Sequence, residues 1–253
     1  MNSQQHMQNL RVRLLAMARL SQRAFDDSIK GYAMRNLDFS RHVRAADSEI
    51  EGHHRRIKEL CRELTTAGID KPADSRFTFA AASINTALHV TYTAAAQIAQ
   101  DSARLLEGNG IHGCAALEMM GRVVNGSIRL CVVALFEENA GHATAALRRQ
   151  ECLPLRELTS VSTHPHIDRW SGAQGDFERS VIRSLTEVAK QAHEMADTIL
   201  FWLEGKSCVA VSMSAKHPPL EFPSARAQAE SGAFKYLQSR SAPVPRITPS
   251  FSC

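Results

Sequence analysis

The stretch of residues 72–105 constrains the fold of this chain more than any other stretch. Its apolar residues recur every three or four positions, which is the spacing of a helix with one buried face. These positions are Phe77, Ala80, Ile84, Ala87, Leu88, Ala94, Ala95, Ile98 and Leu105. At about 1.5 Å per residue, such a helix would be about 50 Å long. The Ala and Thr residues on its inner face would let a partner helix approach closely.

A second stretch, residues 176–206, repeats this pattern 97 positions further along the chain. The shift places Ile84 on Val181, Leu88 on Leu185, Ala95 on Ala192 and Ala99 on Ala196. We therefore interpret the chain as two copies of one helical unit, each built around one of these two long helices.

Four further helical patterns complete the two units. They cover residues 6–33, 39–66, 113–138 and 142–158, and a shift of 103 places Leu14 on Leu117, Met17 on Met120 and Asn36 on Asn139. Gly68 is expected to end the second helix and Pro72 to open the third. We predict an all-α fold of two tandem three-helix bundles related by an internal repeat. The predicted boundaries are 1–108 for the first repeat, 109–206 for the second and 207–253 for a C-terminal tail.

Composition supports helices and narrows the classes of partner. Aromatic residues are only 6% of the 253 residues, whereas Ala, Leu and Met are plentiful, which favours helices over sheets. The tail holds six of the nine prolines, so we expect no packed core there. It also carries three of the four net positive charges. Residues 1–206 therefore carry a net charge of only about +1. Nucleic-acid binding needs a concentrated basic face, so we predict no nucleic-acid partner.

The ends of the chain and its cysteines indicate a cytoplasmic protein. The first fifteen residues lack the apolar run and cleavage site of a signal peptide, and the apolar run at 199–203 is too short to span a bilayer. We therefore expect no direct membrane insertion. The cysteines are widely spaced and include no CxxC pair, which is typical of reduced thiols in a protein of this size. Cys61 and Cys131 lie on apolar helical stripes, so we expect them to be core residues rather than nucleophiles.

Four short segments, taken in order, resemble the PhoU family of phosphate-uptake regulators. They are LRVRLLAM at 10–17, DSEI at 47–50, PADSRF at 72–77 and ADTILFWLEGK at 196–206. The resemblance extends over residues 6–206 and leaves the tail outside. It implies two three-helix bundles related by a pseudo-twofold axis, and a cytoplasmic negative regulator of phosphate import and of the sensor kinase that reads phosphate. Its implied partners are the transporter ATPase or a sensor histidine kinase, together with a second copy in a homodimer.

The resemblance also identifies the positions where this chain departs from the family. PhoU proteins typically carry an acidic motif, E(D)-x-x-x-D, on each of their two core helices, and its carboxylates can hold iron, zinc or another divalent metal. The motif positions here are His89 and Thr93 in the first repeat and Thr186 and Lys190 in the second. The ammonium of Lys190 would repel a divalent ion by on the order of a few kcal/mol. We therefore predict no metal and no cofactor at these four residues.

Two other clusters could be read as metal ligands. His164, His166 and Asp168 surround Pro165, and this string is more simply a loop whose Asp168 caps the next helix. His193 and Asp197 share a helix face at i, i+4, but the second His of a zincin helix is missing. A metal site at either cluster is the alternative to these interpretations.

Charged residues on helical faces have simpler interpretations. Lys190 and Glu194 are spaced to form a surface ion pair, worth about 0.3 kcal/mol. The basic run of residues 53–58 is interspersed with Glu49, Glu51 and Glu59. It predicts a solvated helix face, with a docking patch for an acidic partner as the alternative.

No nucleophile turn and no phosphate-cradling GxxxxGK loop is present, so the leading hypothesis is a non-enzymatic regulator that acts through protein contacts. The alternative is a divergent helical-bundle adaptor whose partner is unrelated to phosphate. An enzyme would be the third class, and it rests only on His164, His166 and Asp168.

Overall fold

The computed structural model describes residues 3–68, 71–107, 115–151 and 173–205, and within these ranges the chain is helical with no strand. The helices are α1 (Ser3–Met34), α2 (Leu37–Ala45), α3 (Asp47–Ala67), α4 (Pro72–Glu107), α5 (Ala115–Glu137), α6 (Ala140–Glu151) and α7 (Ala173–Glu204). The predicted all-α fold is confirmed. Residues 152–172 and 206–253 lie outside the described ranges, and with them the loop around His164, His166 and Asp168 and the predicted tail.

The two long helices α4 and α7 pack against each other along the centre of the bundle. α1 and α3 pack on α4 in the first half of the chain, and α5 and α6 pack on α7 in the second half. A direct contact between α1 and α5 also joins the halves. One continuous core results, and the expected inner residues of both long helices, such as Leu88 and Leu185, are fully buried in it.

Polar contacts between α4 and α7 repeat at the offset found in the sequence. Ser83 Oγ lies 3.5 Å from Thr198 Oγ1, and Ser180 Oγ donates to Asp101 Oδ2 at 2.9 Å. Ser180 is 97 positions after Ser83, and Thr198 is 97 after Asp101. Reciprocal contacts of this kind are what a two-fold relation between two halves produces. The boundaries 1–108, 109–206 and 207–253 nevertheless remain predictions.

The first turns of the two halves are also alike. Arg35 and Glu138, 103 positions apart, have positive φ angles of 53° and 50°. Each is followed by an asparagine whose Oδ1 accepts a backbone N–H two residues later, from Asp38 at 2.9 Å and from Gly141 at 2.8 Å. The predicted match of the Asn36 and Asn139 turns is therefore confirmed.

The helix predicted over residues 39–66 is wrong, because the structure divides it at Ala46. α2 ends at Ala45 and α3 begins at Asp47, with Ala46 between them at φ −80° and ψ −9°. The expected ends nearby are confirmed: Gly68 closes α3 with a positive φ of 79°, and α4 begins at Pro72.

Among the described residues, one helical stretch, Leu117–Glu137 within α5, is long and apolar enough to cross a membrane by length and composition. More than half of it is buried inside the bundle, and Val124 and Ile128 have no exposed surface. A core helix of a globular protein passes the same test, and burial accounts for the apolar composition of this one.

Candidate functional site

The first motif position, His89 on α4, lies against α3 in a cluster with Glu51 and His54. Its Nε2 is 2.5 Å from Glu51 Oε1, and its ring stacks on that of His54 with centroids 4.1 Å apart and planes inclined by 23°. Glu51 and His54 are three residues apart on α3, so both side chains project toward the same point on α4. We call Glu51, His54 and His89 the histidine cluster.

The environment of the cluster favours a charged glutamate and a neutral His54. The hydrogen bond with His89 lowers the pKa of Glu51 below its ordinary value. Burial, reinforced by the neighbouring His89, lowers the pKa of His54, although the Asn85 side chain acts in the opposite direction. The fully buried Asn85 donates through Nδ2 to the carbonyl of His54 at 3.2 Å, which fixes α3 against α4 beside the cluster.

The basic run on α3 is only partly the solvated face that its sequence predicts. Arg55 and Lys58 are exposed, and Arg56 pairs with Glu59 at 3.0 Å and with Glu63. His53, in contrast, has only 16% of its side chain exposed, and burial lowers its pKa. The two histidines of the run thus belong to the packed side of α3.

The remaining polar contacts around the first motif are short-range or structural. Thr93 donates its hydroxyl to the carbonyl of His89 at 3.0 Å, within its own helix. Tyr92 is buried and lies 2.8 Å from Asp47 Oδ1 and 3.4 Å from the carbonyl of Val43. Burial and the adjacent Asp47 carboxylate raise the pKa of Tyr92, so it acts as a neutral donor where α2 gives way to α3.

The second motif, on α7, has different surroundings. Thr186 donates to the carbonyl of Ile182 at 2.8 Å, and Lys190 Nζ lies 3.9 Å from Glu194 Oε1 in the expected ion pair. Among the described residues, no hydrogen bond or ion pair joins Thr186 or Lys190 to His89 or Thr93.

The donor set at the four motif positions does not fit a divalent metal. Both threonine hydroxyls are engaged with the backbone of their own helices, one position is a cation, and the imidazole of His89 is engaged by Glu51. Within the described ranges, no group of three or more His, Cys, Asp or Glu side chains is arranged to hold a metal ion, and this includes the surroundings of His193 and Asp197.

The two cysteines that the structure describes are core thiols, as expected. Cys61 and Cys131 are buried and unpaired with another sulfur. Their Sγ atoms lie 3.7 Å from the carbonyl of Thr78 and 3.4 Å from that of Ala192. Burial raises the pKa of Cys61 to about 11 and that of Cys131 to about 12. Both therefore stay protonated at neutral pH and are poor nucleophiles.

Sequence reasoning placed His89 at the site but missed its partner Glu51, which lies 38 positions earlier. A signal was available, because Glu51 and His54 share one face of their helix, but nothing local indicates which residue of α4 that face meets.

No family model and no curated protein sequence matches this chain. Solved structures do match its fold. The crystal structure of PhoU from Pseudomonas aeruginosa aligns with a TM-score of 0.68 at 20% identity, over 81% of this chain and 100% of that one. The phosphate transport system regulatory protein PhoU from Streptococcus pneumoniae aligns with a TM-score of 0.67 at 16% identity, over 81% of this chain and 99% of that one. The fold is therefore that of the PhoU structures.

Proposed function

We propose that this protein is a non-enzymatic, cytoplasmic regulator of phosphate transport and of phosphate-responsive signalling, and that it acts by docking on other proteins. The observation that carries the proposal is the alignment of its helices over the entire length of a PhoU structure. Both aligned proteins are named PhoU, and one is named a phosphate transport system regulatory protein.

The chemistry of the described residues supports docking rather than catalysis. The two described thiols are buried and protonated. In the histidine cluster, the imidazole of His89 is already hydrogen-bonded to Glu51. The four motif positions are engaged in contacts internal to the chain. A regulator of this kind would work through its helical surface and without a metal cluster.

The proposed partners are the ATPase of a phosphate transporter, a sensor histidine kinase, and a second copy of the chain in a homodimer. Affinity capture from phosphate-replete cells, followed by mass spectrometry, tests the first two, and light scattering on the purified protein tests the third. Recovery of neither class of partner, with a monomeric protein, would contradict this assignment of partners.

Deletion of the gene is the direct test of function. We expect raised phosphate uptake and expression of phosphate-starvation genes at high external phosphate, and a return to the original levels when the intact chain is supplied. A His89→Gln chain should restore them equally well, because the proposed mechanism does not use a metal at that position. Unchanged uptake and unchanged expression in the deletion strain would refute the proposal.

The second candidate is a helical adaptor whose partner is unrelated to phosphate. It is favoured by the motif residues, which depart from the acidic pattern while the helical scaffold is complete. Capture of a single unrelated protein, together with normal phosphate responses in the deletion strain, would select this candidate over the first.

A further inference from the structure

A cleft of about 440 Å³ lies where α1, α5 and α6 meet, away from the histidine cluster. One wall, from α5 and α6, carries Arg122, Arg129 and Arg149, and the other, from α1, carries Lys30 and the exposed side chain of Met34. None of the four motif positions lines this cleft.

Within the described part of the chain, the three arginines of the cleft have no acidic partner. Among the described residues, Arg122 and Arg129 make no hydrogen bond or ion pair, and Arg149 donates only through Nε to the carbonyl of Val123, at 3.2 Å. Some other arginines of the bundle do pair with acids. Arg41, Arg104 and Arg179, for example, each lie within 4.0 Å of an aspartate three residues earlier.

The acids of the cleft leave it with excess positive charge. Asp26 is held by Lys30, whose Nζ is 2.6 Å away, and it accepts a hydrogen bond from Asn125 at 2.6 Å. That pair is neutral as a unit. Glu118 is the one other carboxylate among the described residues that line the cleft, so against three arginines the net charge is about two positive.

Gly126 leaves room for the guanidinium of Arg149 in this wall. A Cβ atom at Gly126 would lie 2.5 Å from Nε, 2.6 Å from Cζ and 2.7 Å from Nη2 of Arg149. The guanidinium therefore lies directly over the backbone of α5 in space that only glycine leaves open. Because its Nε is anchored on Val123, its two terminal nitrogens remain available to a ligand.

The spacing of the cations indicates the kind of anion. Arg122 and Arg129 are seven residues apart on one helix, which separates their backbone positions by about 10 Å, and Arg149 lies over Gly126 between them. Guanidinium groups bind phosphate oxygens in pairs of hydrogen bonds. One phosphate ion presents its oxygens around a single centre, whereas linked phosphates offer successive oxygens along such a row.

We propose that this cleft binds a nucleoside di- or triphosphate, with the linked phosphates on the three arginines. The exposed side chain of Met34, which is 67% accessible, supplies an apolar wall for the base. The proposal is independent of the regulatory function proposed above, because it is tested by binding to the purified chain alone.

Isothermal titration of the full-length protein with ATP, sodium tripolyphosphate and orthophosphate, at one fixed ionic strength, tests the proposal. We expect one site per chain, with orthophosphate at least about tenfold weaker than tripolyphosphate, as the loss of one charged hydrogen-bonded pair implies. Tighter binding of ATP than of tripolyphosphate would indicate that the base contacts the wall formed by Met34. Equal binding would show that only the phosphates are recognised and would overturn the nucleoside assignment.

Two variants and one matched control locate the site. Arg122→Gln with Arg129→Gln should weaken tripolyphosphate binding by about tenfold or more. Arg44→Gln with Arg183→Gln removes the same charge from exposed positions outside the cleft and should have little effect. Gly126→Ala changes no charge and favours the helix, yet it must displace Arg149, so affinity should fall several-fold while thermal stability is kept.

Three results would overturn the proposal. They are the absence of saturable binding by ATP and tripolyphosphate, an equal loss of affinity in the cleft pair and in the control pair, and unchanged affinity in a folded Gly126→Ala protein. Circular dichroism of each variant establishes that a loss of binding is not a loss of fold.

Discussion

Gly121 is a point of close approach between α5 and α1, and its replacement by alanine gives a quantitative test of how the two halves pack. A Cβ atom at Gly121 would lie 2.9 Å from Cδ1, 3.0 Å from Cγ2 and 3.3 Å from Cγ1 of Ile29. Ile29 is buried, with 6% of its surface exposed. Since three of its carbons are too close at once, a rotation of the side-chain end alone cannot make room, so either the whole buried side chain turns about χ1 or the helices separate slightly.

Two opposing terms set the expected size of the effect. Alanine is favoured over glycine inside a helix by about 0.9 kcal/mol, and overpacking a core typically costs about 1–3 kcal/mol. Gly121→Ala should therefore lower the free energy of unfolding by up to about 2 kcal/mol. Gly52 on α3 provides the matched control, because a Cβ there meets nothing within 4 Å, so Gly52→Ala should raise that free energy by up to about 0.9 kcal/mol.

Urea denaturation followed by far-ultraviolet circular dichroism measures both variants. Ile29→Val completes a double-mutant cycle, since it removes the Cδ1 atom that makes the shortest contact. Alone it should cost about 1 kcal/mol, and combined with Gly121→Ala the loss should be smaller than the sum of the two single losses. If Gly121→Ala stabilises the protein as much as Gly52→Ala does, the close approach of α1 and α5 described above is refuted.

Three further predictions concern Tyr92, the histidine cluster and the four motif positions. Tyr92→Phe should lower the free energy of unfolding by about 1–2 kcal/mol, because a buried hydroxyl loses its 2.8 Å bond to the Asp47 carboxylate; urea denaturation that shows no change would contradict this. Because burial lowers the pKa of His54 below its ordinary 6.5, the unfolded chain binds more protons, so stability should fall as the pH drops from about 7 to about 5. The pKa of Glu51 is lowered from 4.5, so its contribution to stability should persist between pH 7 and 5 and disappear only at more acidic pH. In denaturant titrations, His54→Gln should flatten the dependence of the free energy of unfolding on pH between 7 and 5. An unchanged dependence would exclude His54 as its source. Elemental analysis of the purified protein should find far less than one iron or zinc per chain. If the protein instead holds one metal per chain and a His89→Gln variant loses it, the prediction that the motif positions bind no metal is wrong.

The helices could be predicted from the sequence because burial on one side repeats with the period of the helix. That rule fails at Ala46, where the apolar positions Val43, Ala46 and Ile50 keep helical spacing across a real break. Neither glycine nor proline marks the break. Tyr92, on another helix, lies within hydrogen-bond reach of Val43 and Asp47 on either side of it. That contact is tertiary, and the local signal is limited to the acids Asp47 and Glu49 in the first turn of α3, which are typical of a helix start.

The candidate site was predictable in position but not in chemistry. Helical spacing and the resemblance to PhoU identified the face of α4 that carries His89, since both depend on patterns along the chain. The bond from His89 to Glu51 depends on the register between α3 and α4, and that register is set by buried contacts such as Asn85 with the carbonyl of His54. The arginines of the cleft show the same limit. Arg122 and Arg129 share a helix face in the sequence, but Arg149 joins them only because Gly126 lets it cross α5.

The two halves share a scaffold and differ in surface chemistry, and the sequence explains why. Position 51 in the first half holds the glutamate that engages His89, whereas among the described residues Thr186 donates only to the carbonyl of Ile182 in its own helix. Conversely, the arginine at position 129 in the second half corresponds to Asp26, an acid, in the first. The reciprocal contacts of α4 with α7 keep the helices in two-fold register while these outer positions vary. A partner or ligand therefore meets different chemistry on the two halves, so the internal symmetry of the scaffold does not require two equivalent binding sites.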